Sequence, residues 1–220
     1  MRQRIADAAR RGGRDPGSVR LIAVSKTQPA AAVLEAHQAG QVDFGENRVQ
    51  EALDKMAGLP ATLAWHLIGH LQTNKARLVP GAFACVHSLD SERLARELER
   101  HAAARGLRVP VLLQINLSGE ASKSGLASPE EARVLLAQLH DLPHLQPIGL
   151  MTIPDPAFDE PRTRALFARL RELLEALRRQ EGIGPEFREL SMGMSHDYAW
   201  AIEEGATLVR VGSAIFGPRP

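Results

Sequence analysis

Cysteine is all but missing from this chain: its 220 residues hold one, Cys85. A single cysteine excludes an intrachain disulfide framework and fits a reducing compartment. No motif surrounds it in "FACVHS", so it reads as a small buried core residue. Long apolar runs are missing too. None approaches the roughly 18 residues of a membrane span. The opening "MRQRIADAARRGGRDP" has no apolar h-region and carries acids. Neither a secretory signal nor a transit peptide is expected, and the cytoplasm is the expected location. Charge of one sign is not in excess: Lys+Arg is 27 and Asp+Glu is 26, a net charge of +1. That balance leaves no electrostatic footprint for nucleic acid or an anionic membrane. No G-x-G-x-x-G follows an apolar segment and no G-x-x-x-x-G-K-[ST] occurs, which excludes the usual nucleotide loops. What remains is a small ligand, recognised locally.

What is present is an alternation. Eight short apolar segments read as strands: "VRLIAVS", "VDFG", "AWHLIG", "FACVHSL", "VPVLLQINL", "LQPIGLMTI", "FRELSMG" and "TLVRVGS". Helical patterns separate them, including one from Leu71 to about Val79. The longest runs from about Pro161 to Gln180, with Leu166, Phe167, Leu170, Leu173, Leu174 and Leu177 at three- and four-residue steps. Ser91 and Ser128 sit where N-caps belong; Gly40, Gly106 and Gly205 sit where C-caps belong. Strands apolar on both faces and separated by helices imply a parallel sheet covered on both sides. Eight such units point to an α/β fold, a single (β/α)8 TIM-type barrel over residues 1–220 with 1–18 as an N-terminal helix and lead-in. A doubly wound open sheet is the alternative.

In such a barrel the site lies at the C-terminal ends of the strands, so polar residues there carry the search. Lys26 ends the first strand, on the face shared by Ile22 and Val24. At an apolar mouth its desolvated amine would be a nucleophile for carbonyls; a lysine that snorkels to the surface explains the position equally well. Arg210 interrupts "TLVRVGS" and cannot shed its charge, so burial demands a partner, either a structural carboxylate or an acceptor atom of a ligand. "SMGMS" and "GSAIFG" follow the last two strands. Ser191, Gly193, Met194, Gly212 and Ser213 could there supply donors to a phosphate, or form tight turns that need glycine. In "FGENRVQE", Asn47 can reach inward, while Glu46 suits the start of the next helix. His66 and His70 straddle a strand end with no cysteine or acidic cluster in sequence to complete a metal site; one would line the pocket and the other bond backbone. An amine for an aldehyde, a phosphate cup and an arginine at the mouth together describe pyridoxal phosphate.

The chain closely resembles the pyridoxal phosphate homeostasis proteins, whose barrel is similar to the N-terminal domain of alanine racemase. The resemblance runs from about Val19 to Gly217, through "LIAVSKTQP", "FGEN", "WHLIGHLQTNK", "VHSLDS", "INLSGEASKSGL", "GLMTI", "LSMGMSHDY" and "VRVGSAIFG". It implies a Schiff base between Lys26 and pyridoxal 5'-phosphate, Arg210 facing the pyridine nitrogen, the two small-residue loops on the phosphate, and Asn47 and Met151 beside the ring. Arg48 stands where an aromatic residue is usual, and Ser213 where threonine is. The "SKSG" loop with Lys123 looks like a family motif whose role is open. The function implied is storage or delivery of the cofactor in vitamin B6 homeostasis, with little or no turnover. Arginine at the ring nitrogen weakens carbanion chemistry, and the second base that related racemases take from another domain has no counterpart. The alternatives are an amino-acid racemase-like enzyme and a cofactor-free Schiff-base aldolase. Apo-enzymes dependent on the cofactor are candidate recipients, and a monomer or weak dimer is expected.

Overall fold

Each of the eight apolar segments forms a strand, and each strand pairs in parallel with the next until the last closes on the first. The computed structural model describes residues 1–119, 124–180 and 182–217; Lys123, in the "SKSG" loop, lies outside them. The strands are β1 Arg20–Val24, β2 Asp43–Glu46, β3 Ala64–Leu67, β4 Cys85–Leu89, β5 Val109–Gln114, β6 Leu145–Met151, β7 Glu189–Ser191 and β8 Leu208–Val211. The helices are α1 Arg2–Arg11, α2 Ala30–Gln38, α3 Val49–Met56, α4 Glu92–Ala103, α5 Pro129–Gln138, α6 Glu160–Arg178, α7 Tyr198–Glu203 and α8 Ser213–Phe216. The closed barrel, rather than the open sheet, is the architecture.

Strand alternation builds two separate apolar layers. Ile22, Cys85, Leu112, Met151 and Leu208 fill the inside of the barrel. Ala23, Phe44, Leu67, Val86, Leu113 and Val209 point outward into the layer beneath the helices. On α6 the six apolar residues at helical spacing are all buried. Each contributes about 1.5–3 kcal/mol by leaving water. Ser91 and Ser128 cap α4 and α5, accepting from Leu94 N–H and Glu131 N–H.

The connection after β3 departs from the expected helix. Thr73–Leu78 forms only a 3-10 segment. Pro80 follows two residues later and has no N–H to donate to the carbonyl of Ala76, as a continuing α-helix would need. Leu71 and Val79 are nevertheless buried, so the apolar pattern marked packing rather than helix.

Candidate functional site

A cavity of about 560 Å³ opens at the C-terminal ends of the strands. Lys26, Asn47, Met194, Arg210, Gly212 and Ser213 share its wall. They come from four strand ends, β1, β2, β7 and β8.

Lys26 is half-buried and stands just past β1. Its neighbours on both sides are fixed. Ser25 is fully buried, its N–H bonded to Gly45 O at 3.0 Å and its Oγ to Glu46 Oε1 at 2.7 Å. Lys55 Nζ, from α3, donates to Ser25 O at 2.7 Å and to Glu46 Oε1 at 2.5 Å. On the other side Thr27 adopts φ 66°, and Gln28 N–H closes the turn on Ser25 O at 3.0 Å. A β-branched residue with positive φ is strained, and the strain sits next to the amine. Glu46 therefore does not serve as the helix-start residue expected from its sequence. It is the buried ion-pair partner of Lys55, because α3 returns that lysine to the end of β2.

Arg210 is 4% exposed. Its N–H groups donate to Ser191 Oγ at 2.6 Å and to Thr152 O at 2.9 Å. Neither acceptor is a carboxylate, so the structural carboxylate partner considered from sequence does not hold it by a hydrogen bond. Desolvation pushes the guanidinium down to about 10, against the attraction of Asp197.

Three expected wall residues are elsewhere. Met151 is fully buried among the barrel-interior side chains. Ser191 is also fully buried, facing inward beneath the cavity, where its hydroxyl meets Arg210 and His87. Ser191 is not on the cavity wall, because it is still within β7 and inward parity turns it into the barrel. Gly193 is a joint between strands. Its carbonyl accepts Arg210 N–H at 2.9 Å. Its φ of 91°, with a Cβ position 2.6 Å from Ala201 Cβ, admits only glycine.

Sequence reasoning missed Ser195, the last residue of "SMGMS". Four residues beyond Ser191, it lies past the strand end and on the cavity wall. Its Oγ accepts from Gly212 N–H at 3.2 Å and Ala214 N–H at 3.4 Å, drawing the loops after β7 and β8 together. His196 is on the same wall and exposed. The two expected histidines part company. His70 lines an adjoining cavity and pairs with Asp90 at 3.4 Å. His66 is buried inside the barrel and bonds side chains rather than backbone, reaching His87 and Asp43. Tyr198 packs against the outer core layer.

A parallel eight-stranded barrel with a lysine after β1, a buried arginine in β8 and facing small-residue loops at β7 and β8 defines a class, closed (β/α)8 barrels that gather an amine, a guanidinium and small-residue loops at one mouth. The chain belongs to the family described as alanine racemase, N-terminal domain, whose model matches residues 1–220. It is 51% identical to the pyridoxal phosphate homeostasis protein of Pseudomonas aeruginosa over 217 residues, covering 98% of this chain and 91% of that one. It is 46% identical to the protein of that name from Vibrio cholerae, over 98% of this chain and 92% of the other. Among solved structures, PipY of Synechococcus elongatus with PLP bound matches with a TM-score of 0.84 and 45% identity, over 97% of this chain and all of that one.

Proposed function

We propose that this chain binds pyridoxal 5'-phosphate and holds it for storage or delivery in cytoplasmic vitamin B6 homeostasis, with little or no turnover. The observation that carries this reading is the sharing of one cavity by Lys26, Arg210 and the loops around Ser195, Gly212 and Ser213. The donor set fits the cofactor's chemistry. Lys26 would supply the amine for its aldehyde. Arg210 would face the ring nitrogen. Ser195, Ser213 and the N–H groups of Gly212 and Ala214 would receive the phosphate, taking the role expected of Ser191. Asn47 and Ile68 would flank the ring. When bound, the cofactor supplies an electrophilic aldehyde and an electron sink.

The case for weak chemistry rests on Arg210. A guanidinium is a donor only, and so disfavours a protonated ring nitrogen, on which the electron sink depends. A racemase would also need an acid opposite Lys26. Tyr198 belongs to the outer core layer, and His196 adjoins the proposed phosphate end. Relatives bear the name of homeostasis proteins, which supports the same reading. Among the described residues no helix is long and apolar enough to cross a membrane. The proposed recipients are apo-enzymes that need the cofactor, served by a monomer or weak dimer.

The test is the visible absorbance of purified protein loaded with the cofactor. Lys26→Ala should abolish the lysine-bound band, with some ligand kept through the phosphate. An unchanged spectrum in the variant would reject Lys26. Mixing loaded protein with an apo-enzyme then measures delivery.

A further inference from the structure

A row of polar side chains crosses the interior of the barrel from Arg210 to the opposite end. Ser191 Oγ, which accepts from Arg210, lies 2.8 Å from His87 Nδ1. His87 Nε2 lies 3.0 Å from His66 Nδ1, and His66 Nε2 lies 3.1 Å from Asp43 Oδ1. Both ends of the row are fixed by chemistry: a guanidinium only donates and a carboxylate only accepts. The proton order follows. Ser191 O–H donates to His87 Nδ1, His87 Nε2–H to His66 Nδ1, and His66 Nε2–H to Asp43. Each hydrogen bond has its donor and its acceptor while both imidazoles are neutral.

The row ends in solvent. Ser191, His87 and His66 are buried. Asp43 is partly exposed and lines a second cavity of about 270 Å³ at the N-terminal ends of the strands, with Arg20 and Glu189. Apolar side chains fill the rest of the interior. A polar row in such surroundings is costly unless fully satisfied, and with both imidazoles neutral this one is satisfied in one proton order.

We propose that Asp43, His66, His87 and Ser191 are positioning residues for Arg210, so that the charge of Asp43 at the barrel floor is felt at the cavity on the other side. The effect on the ligand rests on the pyridoxal phosphate reading; the row itself does not. The titratable and charged groups facing His87 are His66, Arg210 and Arg20, and burial holds its imidazole well below the ordinary range. Asp197 acts on Arg210. His66, Cys85 and His87 also bring three potential metal-ligand atoms within 4.8 Å of one another. A cation there would take the lone pair of His66 Nδ1 and the place of the proton on His87 Nε2, and would sever the row. It would also face the Arg210 cation and a thiol that burial holds strongly protonated.

Nitrogen-15 NMR of the ligand-free protein at pH 7 tests the row directly. Both rings should be neutral and carry the proton on Nε2. Asp43→Asn removes the charge and offers His66 a weaker acceptor oxygen or an N–H₂ donor, so the nitrogen-15 shifts of His66 and His87 should move from their wild-type values. In the same variant cofactor affinity should fall about fivefold or more, and the pH midpoint of the bound cofactor's absorbance should shift. Ser191→Ala should weaken affinity, and Ser191→Thr, which keeps the hydroxyl, should restore it. Wild-type nitrogen-15 shifts of both rings together with wild-type affinity in Asp43→Asn would overturn the proposal. So would stoichiometric Zn²⁺ uptake by the wild type that is lost in His87→Gln. If the wild type takes up no cofactor, the functional reading fails while the tautomers still decide the row.

Discussion

Gly69→Ala probes how the cavity wall is assembled. Gly69 follows β3, where its backbone crosses that of Asn47. A Cβ at position 69 would lie 2.3 Å from Asn47 O, 2.7 Å from its Cα and 2.9 Å from its carbonyl carbon. Ordinary contact begins near 3.4 Å, so one backbone must shift by roughly 1 Å. No rotamer change relieves this, because all three atoms are main chain. The crossing is also held, with Ile68 N–H on Glu46 O at 2.9 Å and Glu46 tied to Ser25 and Lys55. Overpacking of this kind costs about 1–3 kcal/mol. In a chain of this size that lowers Tm by about 2–12 °C. Asn47 and Ile68, on either side of the crossing, both line the cavity, so cofactor affinity should fall as well. Gly58→Ala is the control: a Cβ there meets nothing within 4 Å. It should be neutral, or stabilising by up to about 1 kcal/mol through the unfolded chain. Thermal and urea denaturation give the stability, and an absorbance titration gives the affinity. A Gly69→Ala protein matching the Gly58→Ala control in both would refute the crossing.

Ser195→Ala should weaken pyridoxal phosphate by the worth of a charge-assisted hydrogen bond, about 1.5–3 kcal/mol, and leave pyridoxal unaffected; equal losses for the two ligands would put the phosphate elsewhere. Arg210→Glu exchanges a permanent donor for an acceptor and should raise exchange of the α-proton of L-alanine into deuterated water. A cofactor-loaded variant that exchanges no faster than wild type would remove Arg210 as the restraint. His87, kept neutral in the fold chiefly by burial, titrates in the unfolded chain near its ordinary 6.5. Its unfolded form binds the proton first, so stability present above that pH is lost as pH falls, by up to about 1.4 kcal/mol per pH unit. His87→Gln should flatten that slope in urea denaturation between pH 7.5 and 5; an unaltered slope would show that the folded protein protonates His87 freely.

Residues at strand ends were the legible part of the site, and residues inside the barrel were not. Lys26, Asn47, Gly212 and Ser213 stand out as polar or small residues where an apolar strand stops, Arg210 as a charge inside one, and all reach one cavity together with Met194. Ser191 and Ser195 show the limit. Both are serines of "SMGMS", and only the end of β7 decides which one faces inward. Strand ends cannot be read to a single residue, and a slip of one residue reverses the face. His66 and His87 were obscured for a related reason. Polar residues in an apolar strand look like exceptions until their partners are known, and these partners come from β2, β4 and β7, far apart in sequence. Glu46 needed Lys55 in the same way.

The alternative of an open sheet bears directly on whether a site exists at all. Lys26 and Arg210 belong to the first and last strands, which are neighbours only because β8 pairs with β1, with Arg210 in register with Ile22. In an open sheet with the strands in sequence order they would occupy opposite edges, seven strand spacings or about 34 Å apart. No small ligand could touch both. In the closed barrel Lys26 is four residues further along its strand than the register partner of Arg210, a rise of about 13 Å. Long side chains entering one cavity from those two levels can approach the two ends of one ring. On the proposed reading the lysine at the end of one apolar strand and the arginine inside another serve one site. Arg210 is costly inside its strand, and the barrel seam is what would let one ligand use both.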